Sequence, residues 1–250
     1  MNQKRKRDFE LLDEGKRRLL SDFRLMLDEI DVGIRRNQKL LDAIVSPHVH
    51  TLNESRKKGL DPVVIEADYE KVRSTIKQFV RDWSDLGRGE RESTYEPIME
   101  AMERRYGFLS PEQRGDIKVL VPGAGLGRLA YDIVKEGFSC QGNEFSFYML
   151  IASNFILNEV PSANYFELNP FIHTLSNTRT AADITTPIRI PSIVPGNLPI
   201  TADFSMVAGD FLEVYGAKDM KEAFDCVGMY CALMGLSEQF LSGNLSTQHF

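Results

Sequence analysis

The stretch "KVLVPGAGLGRLAYDIVKEGFSCQGNE" (residues 118–144) decides the fold. An apolar run breaks into glycines at 123, 125 and 127, and apolar residues then resume at helical spacing. That order predicts a strand over 118–121, a tight turn, a helix over 128–136 and a second strand over 139–144, the repeating unit of a parallel α/β sheet. A dinucleotide turn needs G-x-G-x-x-G, whose third glycine lets the helix pack closely on the strand. Here the spacing is G-x-G-x-G and Arg128 follows, which weakens a nicotinamide reading.

The same spacing matches the turn common in S-adenosylmethionine-dependent methyltransferases, where Gly123, Gly125 and Gly127 would let the backbone approach the methionine and ribose part of the cofactor. Glu144 closes the second strand, 21 residues beyond Gly123, where a carboxylate can accept from both ribose hydroxyls. Asp210 closes a third strand within 205–211, where it can accept from the adenine amine while Phe211 lies against the ring. "FDCV" (224–227) reads as the fourth strand, on the cofactor side of the switch point. Many methyltransferases carry an acid two positions before the first glycine, and Val121 stands there instead. Another group must hold the charged amino-acid end. Gln78 and Arg81 share one helix face at i and i+3, and Arg81 could pair with the cofactor carboxylate. The plainer reading of Arg81 is a surface salt bridge.

The 250 residues, 42% hydrophobic and 26% charged, suit a globular chain able to bury a sizeable core. A net charge of −6 gives no broad case for nucleic acid, and "KRKR" (4–7) reads as a solvated helix start. No apolar run nears the roughly 20 residues that span a bilayer, and no signal-peptide core opens the chain. A cytosolic and nuclear protein is the expectation, with no membrane or nucleic-acid partner. Cys140, Cys226 and Cys231 form no C-x-x-C pair, so neither a disulfide framework nor a zinc site is expected.

Residues 8–45 read as one helix with a buried stripe of Leu19, Phe23, Leu27, Ile30 and Ile34, ended by "SPHVH" (46–50). A second helix, from about Val63 or Glu66 to Asp85, turns Tyr69, Val72, Ile76, Phe79, Val80 and Trp83 inward, and a third covers 95–106. Residues 1–115 thus form a helical region ahead of an α/β domain at 116–227. A helix is expected over 147–160. Residues 169–199 hold five prolines and little periodicity, as in a lid or surface insertion.

Taken together, "QFVRDWS" (78–84), "VLVPGAGLGRLA" (119–130), "CQGNEFSFYMLIASNFILN" (140–158), "MVAGDF" (206–211) and "FDCV" resemble the carnosine N-methyltransferase family. "ELNPFIHTLSNTRTAADITTPIRIPSI" (167–193) is similar to the family's long insertion, placed here at about 167–200. The resemblance implies a Rossmann-like methyltransferase sheet with an added helical region. It also implies methyl transfer from S-adenosylmethionine to an imidazole nitrogen of carnosine, giving anserine, with other histidine-containing peptides as further substrates. Carried over by position, the cofactor residues are Gln78, Arg81, Gly123, Glu144, Asp210, Phe211 and Cys226. A homodimer is compatible with this reading.

After Val227 the resemblance ends. The family continues through "FFIDTAHN" into further strands that carry its substrate contacts, whereas residues 228–250 diverge. Asp203, Asp219, His173 and His249 do not replace those contacts by position, so no catalytic residue is assigned. The expectation is a shortened form of the enzyme, and the rival reading is a silent cofactor-binding or interaction protein. His48 and His50 have H-x-H spacing but no third ligand nearby, so they read as loop residues and no metal is expected. His173 reads as a surface or packing residue, Trp83 as a core anchor of the second helix, and Phe145 and Phe147 as core packing with a lesser claim to touch adenosine. "GMYCALMGL" (228–236) reads as packing material.

Overall fold

The computed structural model describes residues 2–49, 64–176, 178–196, 198–216 and 220–229. In chain order the elements are α1 (Asn2–Glu10), α2 (Glu14–Leu19), α3 (Ser21–Val45), α4 (Glu66–Trp83), α5 (Arg88–Tyr106), α6 (Pro111–Arg114), β1 (Lys118–Pro122), α7 (Arg128–Lys135), β2 (Ser139–Glu144) and α8 (Phe147–Asn158). They continue with β3 (Phe166–Leu168), α9 (Ala182–Thr185), β4 (Ile188–Ile190), β5 (Phe204–Ala208), α10 (Phe211–Tyr215) and β6 (Cys226–Val227). Two compact units result, one from Met1–Glu90 with Ile151–Pro195 and the other from Arg91–Leu150 with Gly196–Phe250. Among the described residues no helix is long and apolar enough to cross a membrane.

The second unit holds the sheet, in the order β5-β2-β1-β6. Every pairing in it is parallel, with Val119 level with both Cys140 and Cys226, and Cys140 level with Phe204. Ranked by appearance along this sheet, the strands run third-second-first-fourth, so the order reverses between β1 and β6, where doubly wound sheets hold their ligands. A strand enclosed on both faces reads as continuous apolar sequence. "VLVP" of β1 is buried throughout for that reason. Val119, Val121 and Cys140 meet Leu129, Ala130, Ile133 and Val134 of α7, joined by Tyr95 and Met102 of α5. Gly137, at φ 97°, ends α7 in the left-handed conformation that a side chain resists. Arg114 fixes both helix ends: it donates to Glu103, to the carbonyls of Gly107 and Glu136, and stacks over Phe138.

In the first unit the expected single helix over 8–45 is three helices. Asp13 caps α2 by accepting the Lys16 N–H, which interrupts the run, and Leu19 is left 85% exposed. Leu27 and Ile30 keep the buried stripe, continued by Leu40 and Ile44, while Ile34 is exposed. The neighbouring Gly33 takes the inward place instead, because a Cβ there would come within 3.0 Å of Asn169 and Ile172. "KRKR" is not wholly solvated: Lys6 of α1 pairs with Asp28 and Asp31 of α3. Tyr69 is exposed, near the start of α4, whereas Ile76, Phe79, Val80 and Trp83 are buried as expected. The proline-rich stretch is more ordered than its weak periodicity suggests. β3 and β4 pair antiparallel from Phe166–Ile190 to Leu168–Ile188. The buried Asn169 exchanges two backbone bonds with the Asn37 side chain and donates to the carbonyls of Ile184 and Thr185. Such short polar ties leave no apolar pattern to read.

Candidate functional site

The carboxyl end of β1 runs into the three glycines, which adopt φ of 65°, 56° and 76°. This is the left-handed region, disfavoured by about 1–2 kcal/mol for residues with a Cβ, so their spacing is a requirement of the backbone path. A Cβ at Gly123 would meet nothing within 4 Å, so that glycine faces open space. The turn closes on itself through the Gly127 N–H to the Ala124 carbonyl at 2.8 Å. Arg128, where a dinucleotide turn has its third glycine, lies along α7 and donates through Nε to both oxygens of Asp132 at 3.0 Å. Burial holds the Asp132 carboxyl above its ordinary range, against the pull of Arg128.

Glu144 stands at the end of the adjacent strand and reaches across to the turn. Its Oε2 accepts the Gly125 N–H at 2.9 Å and its Oε1 accepts the Ser146 N–H at 2.8 Å. Each ionised carboxylate oxygen has a second lone pair. Asp210 ends the next strand over and caps α10, both cap bonds ending on Oδ1, from Leu212 at 2.8 Å and Glu213 at 3.2 Å. Phe211 follows with its ring 5.3 Å from that of Tyr215, whose hydroxyl donates to Gln141. Burial raises the Tyr215 hydroxyl above its ordinary pKa.

The three strand ends are bolted together by residues outside the glycine motif. The Ala124 N–H donates to the Asn143 carbonyl at 2.9 Å, and the Gly209 N–H donates to the Glu144 carbonyl at 3.1 Å. At Gly142 the neighbours of β2 approach closely: a Cβ there would overlap Met206 and lie 2.9 Å from the Ala124 Cβ. Asn143 is a polar residue 2% exposed inside a strand, a signal available in "QGNE" only once the strand is known to be central.

Gly123, Gly125, Gly127, Glu144, Asp210 and Phe211 therefore gather at the carboxyl ends of β1, β2 and β5. Cys226 does not join them. It is level with Val119, about 13 Å back along the strand at ~3.3 Å per residue, and its side chain packs on the core, where burial raises the thiol pKa. Phe145 and Phe147 are 76% and 70% exposed rather than packed in a core. In the other unit, Gln78 and Arg81 both donate to the fully buried Asp82, each at 2.8 Å. Arg81 thus belongs to a buried network, not to an exposed surface pair. Among the described residues no three His, Cys, Asp or Glu side chains gather as a metal-binding group. His50, Asp219, Cys231, His249 and residues 230–250 lie outside the described residues.

The profile of the carnosine N-methyltransferase family matches residues 59–232. This chain belongs to the carnosine N-methyltransferase family. It is 42% identical over 229 residues to the carnosine N-methyltransferase of Mus musculus, an alignment covering 88% of this chain and 55% of that protein. Against the one from Schizosaccharomyces pombe it is 42% identical over 231 residues, covering 90% and 61%. A Drosophila melanogaster relative, "Carnosine N-methyltransferase unmet", is 44% identical over 167 residues, covering 65% and 36%. The chain thus spans little more than half the length of the first of these relatives. The glycine turn and Glu144 lie inside the matched region, as do Asn143 and Asp210.

Proposed function

We propose that this chain acts as an S-adenosylmethionine-dependent N-methyltransferase that converts carnosine to anserine by methylating the histidine imidazole. One observation carries the cofactor half of this reading: the Glu144 carboxylate is fixed by two backbone N–H groups beside three left-handed glycines, the first of which opens onto free space. The residues fit the cofactor. Glu144 keeps acceptor capacity for the two ribose hydroxyls, Asp210 has Oδ2 for the adenine amine, and Phe211 offers a ring face. Gln78 and Arg81, given to the amino-acid end by the family resemblance, belong to the other unit, where both donate to Asp82.

When bound, S-adenosylmethionine supplies a methyl group already activated by its sulfonium. The protein's own work is then positioning, because a methyl transfer gains from a fixed approach more than from covalent help. The Gly125 N–H and Glu144 lock each other, so the ribose acceptor is in place before any ligand arrives. An imidazole must be neutral at the attacking nitrogen, which near its ordinary pKa of about 6.5 it is at neutral pH. The substrate comes to this proposal from the names of the relatives.

The test is a calorimetric titration with S-adenosylmethionine and S-adenosylhomocysteine, followed by a methyl-transfer assay on carnosine with the product separated from anserine standard. Saturable one-site binding and anserine formation are the expected results. Binding without turnover would favour a silent cofactor-binding protein, and absence of binding would overturn the reading altogether.

A further inference from the structure

We propose that Asn143 is a positioning residue that sets the adenine selectivity of this site by holding Asp210 at a fixed distance from Glu144. The inference rests on the cofactor reading above and adds a residue to it. Asn143 sits in β2 opposite Pro122 of β1 and Val207 of β5. Its carbonyl accepts the Ala124 N–H at 2.9 Å, which ties it to the glycine turn. Its side-chain amide donates in the other direction, to the carbonyls of Val207 at 3.3 Å and Gly209 at 3.1 Å. One residue thus spans from the turn after β1 to the turn after β5.

Both carbonyls lie where β5 leaves the sheet. Gly209, at φ 140°, turns the chain out of the strand, and the next residue is Asp210. Regular pairing with β2 reaches only to Ala208, and the Asn143 amide adds two bonds to this last stretch. At 2% exposure that amide has little water to exchange with, so the two bonds are not readily surrendered. Only an uncharged side chain with two N–H donors on one atom meets both carbonyls at this length, which selects Asn over Asp, Ser or Leu. The Gly209 N–H donates to the Glu144 carbonyl at 3.1 Å, a backbone tie that survives substitution of the Asn143 side chain. Losing the amide therefore loosens the turn around Asp210 without detaching β5. Glu144 keeps its own anchors at Gly125 and Ser146. The effect falls on the Asp210 side of the site, where a carboxylate recognises an amine donor and repels a carbonyl.

The experiment compares S-adenosylhomocysteine with S-inosylhomocysteine, which carries a carbonyl in place of the exocyclic amine, by calorimetry on the purified full chain. For the unsubstituted protein the adenosyl ligand is preferred by about 10- to 100-fold, as expected for a hydrogen bond to a charged group. In Asn143→Ala the preference shrinks to about 3-fold or less, while far-ultraviolet dichroism is retained. Asn143→Asp, which is isosteric but cannot donate while ionised, loses the preference likewise and serves if the alanine variant does not fold. Hydrogen exchange gives a second reading: amides of 209–213 exchange faster in either variant, while those of 119–121 do not. A variant that folds, binds the adenosyl ligand and keeps the full preference overturns the inference. If the unsubstituted protein binds neither ligand, the cofactor reading itself fails.

Discussion

The Glu144 carboxylate and the Gly125 N–H, 2.9 Å apart, join the end of β2 to the turn after β1. A carboxylate can accept from Gly125 and Ser146 together and still face a diol, whereas an amide has a single accepting oxygen. Glu144→Gln therefore leaves one backbone N–H facing an NH2 group. We expect S-adenosylhomocysteine affinity to fall by at least about 10-fold with little change in secondary structure, measured by calorimetry and circular dichroism. Unchanged affinity would remove Glu144 from the site.

Gly123 and Gly142 separate two roles of glycine. At Gly123 only the backbone conformation resists a Cβ, since nothing lies within 4 Å. Gly123→Ala should cost about 1–2 kcal/mol of stability and lower ligand affinity further by filling the open side of the turn. At Gly142 a Cβ collides with Met206 and Ala124. Gly142→Ala should cost more stability, about 1–3 kcal/mol of overpacking set by how far Met206 can swing away. Denaturant melts and titration of both variants check the contrast, and a Gly123→Ala protein with normal affinity would contradict it.

The two cases also mark what sequence could reveal. G-x-G-x-G is legible because left-handed turns restrict residue type, and β1 is legible because a strand buried on both faces is uniformly apolar. The end of the third strand was likewise readable from Asp210 standing after the apolar "MVAG", and that of β2 from the spacing of Glu144 to the glycine turn. Gly142 and Asn143 were not, since their meaning depends on Met206 and Gly209, more than 60 residues away. The same holds for Asn169, whose partners Asn37 and Thr185 give no periodicity. The split of residues 8–45 turned on one cap at Asp13, in a region whose composition is helical throughout. Cys226 was carried over from family likeness alone, and register with Val119 sets it apart from the cluster.

Asp82 tests whether the α4 network is structural. It is fully buried and accepts from both Gln78 and Arg81. Asp82→Ala removes both bonds and leaves the partly buried guanidinium without that carboxylate, a change worth about 3 kcal/mol. A fall of that size in urea melts is expected. A change under about 0.5 kcal/mol, typical of surface substitutions, would show that Arg81 is held elsewhere.

The ion pairs between α1 and α3 should make docking of α1 sensitive to acid. Hydrogen bonds from Arg24 and then Lys6 depress the Asp28 carboxyl to about 2 in the folded protein. Lys6 and Asn2 likewise hold Asp31 below its ordinary range. A carboxyl whose pKa is lower folded than unfolded adds stability above its unfolded value and loses it as pH falls through the folded one. The contribution is therefore present at neutral pH and disappears between about pH 4 and pH 2. Asp28 is exposed to solvent, so salt should weaken it as well. Lys6→Met abolishes one partner of both carboxylates. Amide exchange across 2–10 should then become faster at pH 7 and differ little from the unsubstituted protein at pH 2. Equal exchange in the two proteins at pH 7 would show that α1 is held by Phe9 and the Asn2 bonds to α3 instead.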